Sequence, residues 1–224
     1  MNKRTDPFLS LLREQSLLLA VIAVIAFTWF AQKLGPVGWD APFLAAPSEI
    51  IDSWRHLCAG SARSADYRQF GTLISYAFLH SDEKHLLLNM FYLWIFAALI
   101  VESLGKRWFA LIFLASAIGG GIGHTLLYPL SPTLGASGVV MGFEGAYLGL
   151  ALTRQLPDPQ IWPIEHPIQP LELGGVAVIG IAIDFYDASD GIVDLISHGG
   201  HIGGFVVGFF ITSIALPALT YTAK

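Results

Sequence analysis

A serine stands in the tetrad Gly135-Ala136-Ser137-Gly138, at the head of an apolar run from Val139 to Leu150. A histidine opens a second apolar run, His201-Ile202-Gly203-Gly204-Phe205-Val206-Val207-Gly208. His85 and Asn89 lie near the start of a third, four residues apart and so on one helical face. Serine becomes a nucleophile when a base takes its proton, and histidine is the usual base. Asn89, His85 and the backbone N–H of Ser137 are donors of the kind that stabilise a developing oxyanion. The chemistry within reach is acyl transfer. No carboxylate falls at the same level of these three runs, so the expectation is a Ser137–His201 dyad and not a triad.

A direct Ser–His hydrogen bond requires about 2.6–3.2 Å between heavy atoms, which two helices reach only if their backbones approach closely. The glycines supply the means. Gly138, Gly142, Gly145 and Gly149 recur at steps of four, three and four, on one helical stripe. His201, Gly204 and Gly208 form a second such stripe. Small-residue stripes let membrane helices pack backbone to backbone. His198 is the other histidine of that helix, but its stripe continues through His201 to Phe205, whose bulk would hold the helix away. His201 is therefore the expected base.

The composition is that of a membrane protein. Hydrophobic residues make up 54% of the chain and charged residues 13%, against about 25% charged in soluble domains. Mean hydropathy is +0.60. The formal net charge of −5 is thinly spread and indicates no nucleic-acid partner. A single cysteine, Cys58, excludes an internal disulfide and a cysteine metal cage. The pattern His-Glu-x-x-His is absent. A dyad supplies its own nucleophile and base, so neither metal nor cofactor is expected.

Six spans are predicted, at about 17–31, 85–101, 108–127, 137–152, 171–185 and 196–216. The stretch 17–31 reads as a retained helix, because the Gln32-Lys33-Leu34-Gly35 that follows lacks a small-x-small cleavage site. Residues 35–70 make a long first loop with a short amphipathic helix at 48–57 and interfacial Trp39, Phe43 and Trp54. Residues 72–79 are apolar and end at His80. Lys3, Arg4, Arg13, Lys106, Arg107, Arg154 and Lys224 fall on one side of such a bundle. Arg55, Arg63 and Arg68 in the long first loop count against this side, and on balance the positive-inside rule makes both termini cytoplasmic. The expected organisation is a cytoplasmic segment at 1–15, a six-helix membrane domain at 16–217 and a cytoplasmic tail at 218–224. Spans two, four and six begin on the outer side, so His85, Asn89, Ser137, His198 and His201 share one depth. Polar groups in a bilayer face a bundle interior or a water-filled cavity, and the cavity here opens outward.

Gly-x-Ser-Gly at 135–138, His-x-x-x-Asn at 85–89 and His-x-x-Gly-x-x-x-Gly at 201–208, in this order on successive spans, resemble the rhomboid intramembrane serine proteases. The resemblance covers most of the chain, from about residue 17 to 216. It implies an all-α, polytopic bundle of six transmembrane helices with a long first external loop. It implies Ser137 as nucleophile, His201 as general base, and His85 and Asn89 as oxyanion residues. Substrates would be transmembrane or membrane-proximal segments of other proteins, cut within the bilayer, here the inner membrane of a prokaryote. Two positions depart from the family pattern. The family's Trp-Arg pair of the first loop is matched only by a displaced Tyr67-Arg68, and Met141 stands where an aromatic residue is common.

Each feature alone has a plainer structural reading. A serine at a helix start commonly caps it, and an intramembrane asparagine commonly ties helices together. Glu144, seven after Ser137, reads as a structural hydrogen-bonding group, and the roles of His80 and His198 stay open. Two other functions compete with proteolysis. One is an inactive rhomboid-like chaperone or adaptor that holds transmembrane segments. The other is a metal or proton transporter lined by His80, His85, His198 and His201, though the chain lacks the repeat symmetry common in transporters.

Overall fold

Apolar runs, punctuated by glycine, proline and capping residues, dictate the order of elements. The computed structural model describes residues 12–156 and 197–215, with isolated positions between 158 and 186. Helix α1 (Ser16–Leu34) ends at Gly35-Pro36. A 3-10 turn (Ala41–Phe43) leads to α2 (Pro47–Cys58), which has proline in its first turn and Arg55 and His56 in its last. Then come α3 (Ser64–Ser75) and a second 3-10 turn (Tyr76–Phe78). Helix α4 (Glu83–Leu104) is capped by Asp82, whose side chain accepts the His85 N–H. Gly105, at φ +87°, makes the turn into α5 (Lys106–Leu127), a conformation that favours glycine. Helix α6 (Ser137–Thr153) and α7 (His198–Phe210), which runs into a π-helical turn (Ile211–Ala215), complete the described elements.

Among the described residues three helices, α1, α4 and α5, are long and apolar enough to cross a membrane, and the shorter segment His198–Ile214 is also apolar. Four predicted spans lie within three residues of helix bounds, and the amphipathic helix expected at 48–57 is α2. The apolar stretch 72–79 is not one segment: it divides between the end of α3 and the 3-10 turn. Of the predicted fifth span only isolated positions are described, and the acidic loop after it and nearly all of the two terminal segments lie outside the described residues.

Helix α6 sits at the centre. Every residue from Val139 to Leu150 except Met141 is buried, as expected of a helix that is apolar all round. It runs parallel to α7: Gly138 meets Gly200, Gly142 meets Gly204, and Gly149 meets Phe209. Helix α5 runs the opposite way, with Gly123 against Gly199 and Gly119 against Gly203. A side chain on Gly204 or Gly208 would overlap the carbonyl of Gly138 or Gly142. The two glycine stripes are thus in contact as anticipated, but α5 contributes a third. Phe205 does not hold α7 away. Its backbone lies against Gly145, while its ring stacks on Phe209 at 6.3 Å.

The loop before α6 is held on both sides. Ala45 and Thr133 exchange backbone hydrogen bonds of 3.2 and 2.9 Å, and Gly135 N–H donates to the Tyr76 carbonyl at 3.0 Å. The Tyr76 hydroxyl in turn donates to the Ala117 carbonyl at 3.0 Å. The first loop and α5 therefore both fix the entry to the Gly135–Gly138 tetrad.

Candidate active site

Ser137 is the first residue of α6. Its helix is preceded by Ala136 in the N-cap position, with no side-chain capping bond. The serine is therefore not spent on capping, the commonest role at such a position. Gly135 has φ +120°, and a Cβ there would lie 2.7 Å from Cε1 of His85. The first glycine of the tetrad thus serves both the turn and the seat of the His85 ring.

Ser137, His201, His85 and Asn89 line one cavity of about 320 Å³, together with Ser81, Asp82, Lys84, Leu88, Leu134 and Ser197. The N-termini of α4, α6 and α7 all meet there. Helix N-termini present unsatisfied N–H groups and the positive end of the macrodipole, so the cavity is suited to negative charge on a substrate oxygen.

His85 approaches Ser81 Oγ through Nδ1 at 3.2 Å and packs edge-on against His80, with ring centroids 5.0 Å apart. Asn89 Nδ2 lies 3.1 Å from His80 Nε2, and the Ala136 N–H points at the same nitrogen from 3.5 Å. Two donors on Nε2 make it the acceptor, so His80 is neutral. Burial pushes its pKa down to about 3. His80, whose role the spacing left open, is the residue that holds the Asn89 amide. His198 is buried and does not line the cavity; its ring meets that of His201 edge-on at 6.3 Å. Glu144 is buried on the Ser137 side of α6 and is likewise not part of the cavity lining.

Two cavity residues went unnoticed in the sequence. Asp82 brings a carboxylate to this level, one residue before α4 begins. Its oxygens accept the His85 N–H at 2.8 Å and the Ser81 hydroxyl at 2.7 Å, and these bonds hold its carboxyl below the usual carboxylate range. Both oxygens are thus engaged on its own turn. Ser197 is the N-cap of α7, accepting the Gly200 N–H at 3.2 Å. Capping signals could have found both: Asp82 precedes an acidic first turn, and Ser197 precedes the glycine-rich helix start. Among the described residues, no group of three or more His, Cys, Asp or Glu side chains could hold a metal ion.

Residues 67–218 match the model of the Rhomboid domain. The chain is 27% identical over 208 residues to the rhomboid protein YdcA of Bacillus subtilis strain 168, covering 92% of this chain and 94% of that one. It is 30% identical over 178 residues to the mitochondrial Rhomboid protein 1 of Saccharomyces cerevisiae, covering 73% of this chain and 49% of the relative. With the Rhomboid protease GluP of Bacillus subtilis it shares 31% identity over 140 residues, 62% of this chain and 25% of GluP. The chain spans about half or less of these last two relatives.

Proposed function

Because this chain belongs to the rhomboid family, we propose that it is an intramembrane serine endopeptidase that hydrolyses peptide bonds in or near the transmembrane segments of other membrane proteins. The observation that carries the reading is the gathering of Ser137, His201, His85 and Asn89, from three different helices, around one cavity. In this mechanism His201 takes the Ser137 proton as Oγ adds to the scissile carbonyl carbon. The resulting oxyanion accepts hydrogen bonds from the Ser137 N–H, His85 and Asn89. Collapse breaks the C–N bond, and His201 returns its proton to the leaving amine. A water molecule, deprotonated by His201, then hydrolyses the acyl-enzyme and frees Ser137. No step draws on a metal or cofactor.

The topology that suits this chemistry has six spans, both termini in the cytoplasm and the cavity open to the outer face of a prokaryotic inner membrane. The bilayer is then the medium and the substrate's own helix the partner. A fluorophosphonate probe tests the nucleophile. Labelling of the wild type that is lost in Ser137→Ala supports the dyad. An unlabelled wild type would favour the inactive adaptor or the histidine-lined transporter. Labelling that survives Ser137→Ala but vanishes in Ser197→Ala would move the nucleophile to α7.

A further inference from the structure

His124 lies in the last turn of α5, buried, and takes no part in the mechanism above. Its Nε2 is 2.7 Å from the carbonyl oxygen of Ser131, and its Nδ1 is 2.7 Å from Ser197 Oγ. A carbonyl only accepts, so Nε2 carries the proton and Nδ1 is a bare acceptor. Ser197 therefore donates its hydroxyl hydrogen to His124, and the hydroxyl oxygen still accepts the Gly200 N–H at 3.2 Å. The Ser197 carbonyl accepts the His201 N–H at 2.9 Å. The His124 ring is further held by stacking on Tyr128 at 5.3 Å. One imidazole thus grips two segments. Ser131 belongs to the loop that delivers Ser137, and Ser197 is the cap of the helix that carries His201.

We propose that His124 is a positioning residue: it spans from the nucleophile's loop to the base's helix cap and so sets the separation of Ser137 and His201. The proposal rests on the protease reading of those two residues. Glycine packing fixes how close α6 and α7 lie. A polar tie at the cavity end adds a directional bond that apolar contact lacks. The tie is directional, because only the tautomer set by Ser131 leaves Nδ1 able to accept from Ser197.

The test compares His124→Leu, Ser197→Ala and Ser197→Thr in the full chain, purified in detergent micelles. Three quantities are read: the rate of fluorophosphonate labelling at Ser137, kcat and KM on a transmembrane reporter, and amide hydrogen exchange at Gly200 and His201. His124→Leu and Ser197→Ala should slow labelling and lower kcat by roughly ten- to a hundredfold, the scale of a misplacement of about 1 Å, while KM stays within about twofold. Exchange at Gly200 and His201 should quicken. Ser197→Thr keeps a hydroxyl in place and should restore both the labelling rate and kcat. If His124→Leu does not fold, the Ala and Thr variants of Ser197 decide the matter alone. Wild-type labelling rates in His124→Leu, or in Ser197→Ala, would overturn the proposal. An unlabelled wild type would instead overturn the protease reading, so the two failures are distinct.

Discussion

Ser137 caps no helix, so its removal takes away chemistry and little else. Ser137→Ala should abolish cleavage of a transmembrane reporter while stability changes by less than about 1 kcal/mol, the usual scale of one hydrogen bond. Among the histidines, His201→Ala should lose essentially all activity, because His201 lines the cavity with Ser137. His198→Ala should keep a substantial part, because His198 is buried behind it. The fall in kcat/KM at low pH reports the free enzyme's base, and it should persist in His198→Ala. A dead His198→Ala beside an active His201→Ala would reverse the assignment. His80 titrates far below an ordinary histidine, at about 3. The unfolded chain therefore binds a proton near pH 6.5 that the folded chain refuses, so stability falls as pH drops from about 6.5 towards 3 and is unaffected by this group above that range. Denaturant unfolding of wild type and His80→Leu should show it. The variant is less stable at pH 7 by about 1–3 kcal/mol, the scale of leaving the Asn89 amide unpaired, and its stability falls less steeply with acid.

The glycine stripes work at the scale of whole helices. A methyl group on Gly204 or Gly208 meets the backbone carbonyl of Gly138 or Gly142, which cannot turn aside as a side chain would. Gly204→Ala and Gly208→Ala should each destabilise the fold by about 1–3 kcal/mol, typical of overpacking, and should lower kcat by separating α6 from α7. Gly71, exposed in α3 with nothing near its Cβ position, is the control. Gly71→Ala should stabilise by about 0.4–1 kcal/mol through the unfolded chain. Thermal or denaturant unfolding in micelles distinguishes the two classes. Equal effects at Gly71 and Gly204 would show that backbone contact between the helices is not what the glycines provide.

At the scale of the molecule, the exposed apolar residues Phe27, Phe30, Leu87, Phe91 and Leu126 on α1, α4 and α5 form a surface fit for acyl chains. Orientation can be read from the single cysteine, Cys58, which is exposed at the end of α2 in the first loop. A membrane-impermeant maleimide should label it in right-side-out vesicles and leave it unlabelled in sealed inside-out ones. The opposite pattern would turn the cavity toward the cytoplasm. Turnover should also survive dialysis against a strong chelator. A loss that zinc restores would favour the histidine-lined transporter.

Ser137, His201, His85 and Asn89, with the glycine stripes that bring two of their helices together, were legible because residue type and spacing suffice. A glycine at every turn of an apolar helix has few uses other than close packing. The spans α1, α4 and α5 were legible from length and hydropathy. What only the tertiary structure decided is how each helix is turned and what lies beside it. Lipid tails and helix interiors are equally apolar, so a helix such as α6, apolar all round, carries almost no pattern to say which face meets which neighbour. For that reason the α5 glycines, the His80–Asn89 bond and the tie from His124 to Ser197, 73 residues apart, were out of reach of periodicity. They depend on the register between helices, which is set by backbone and side-chain contacts across the bundle and not by any one segment of the chain.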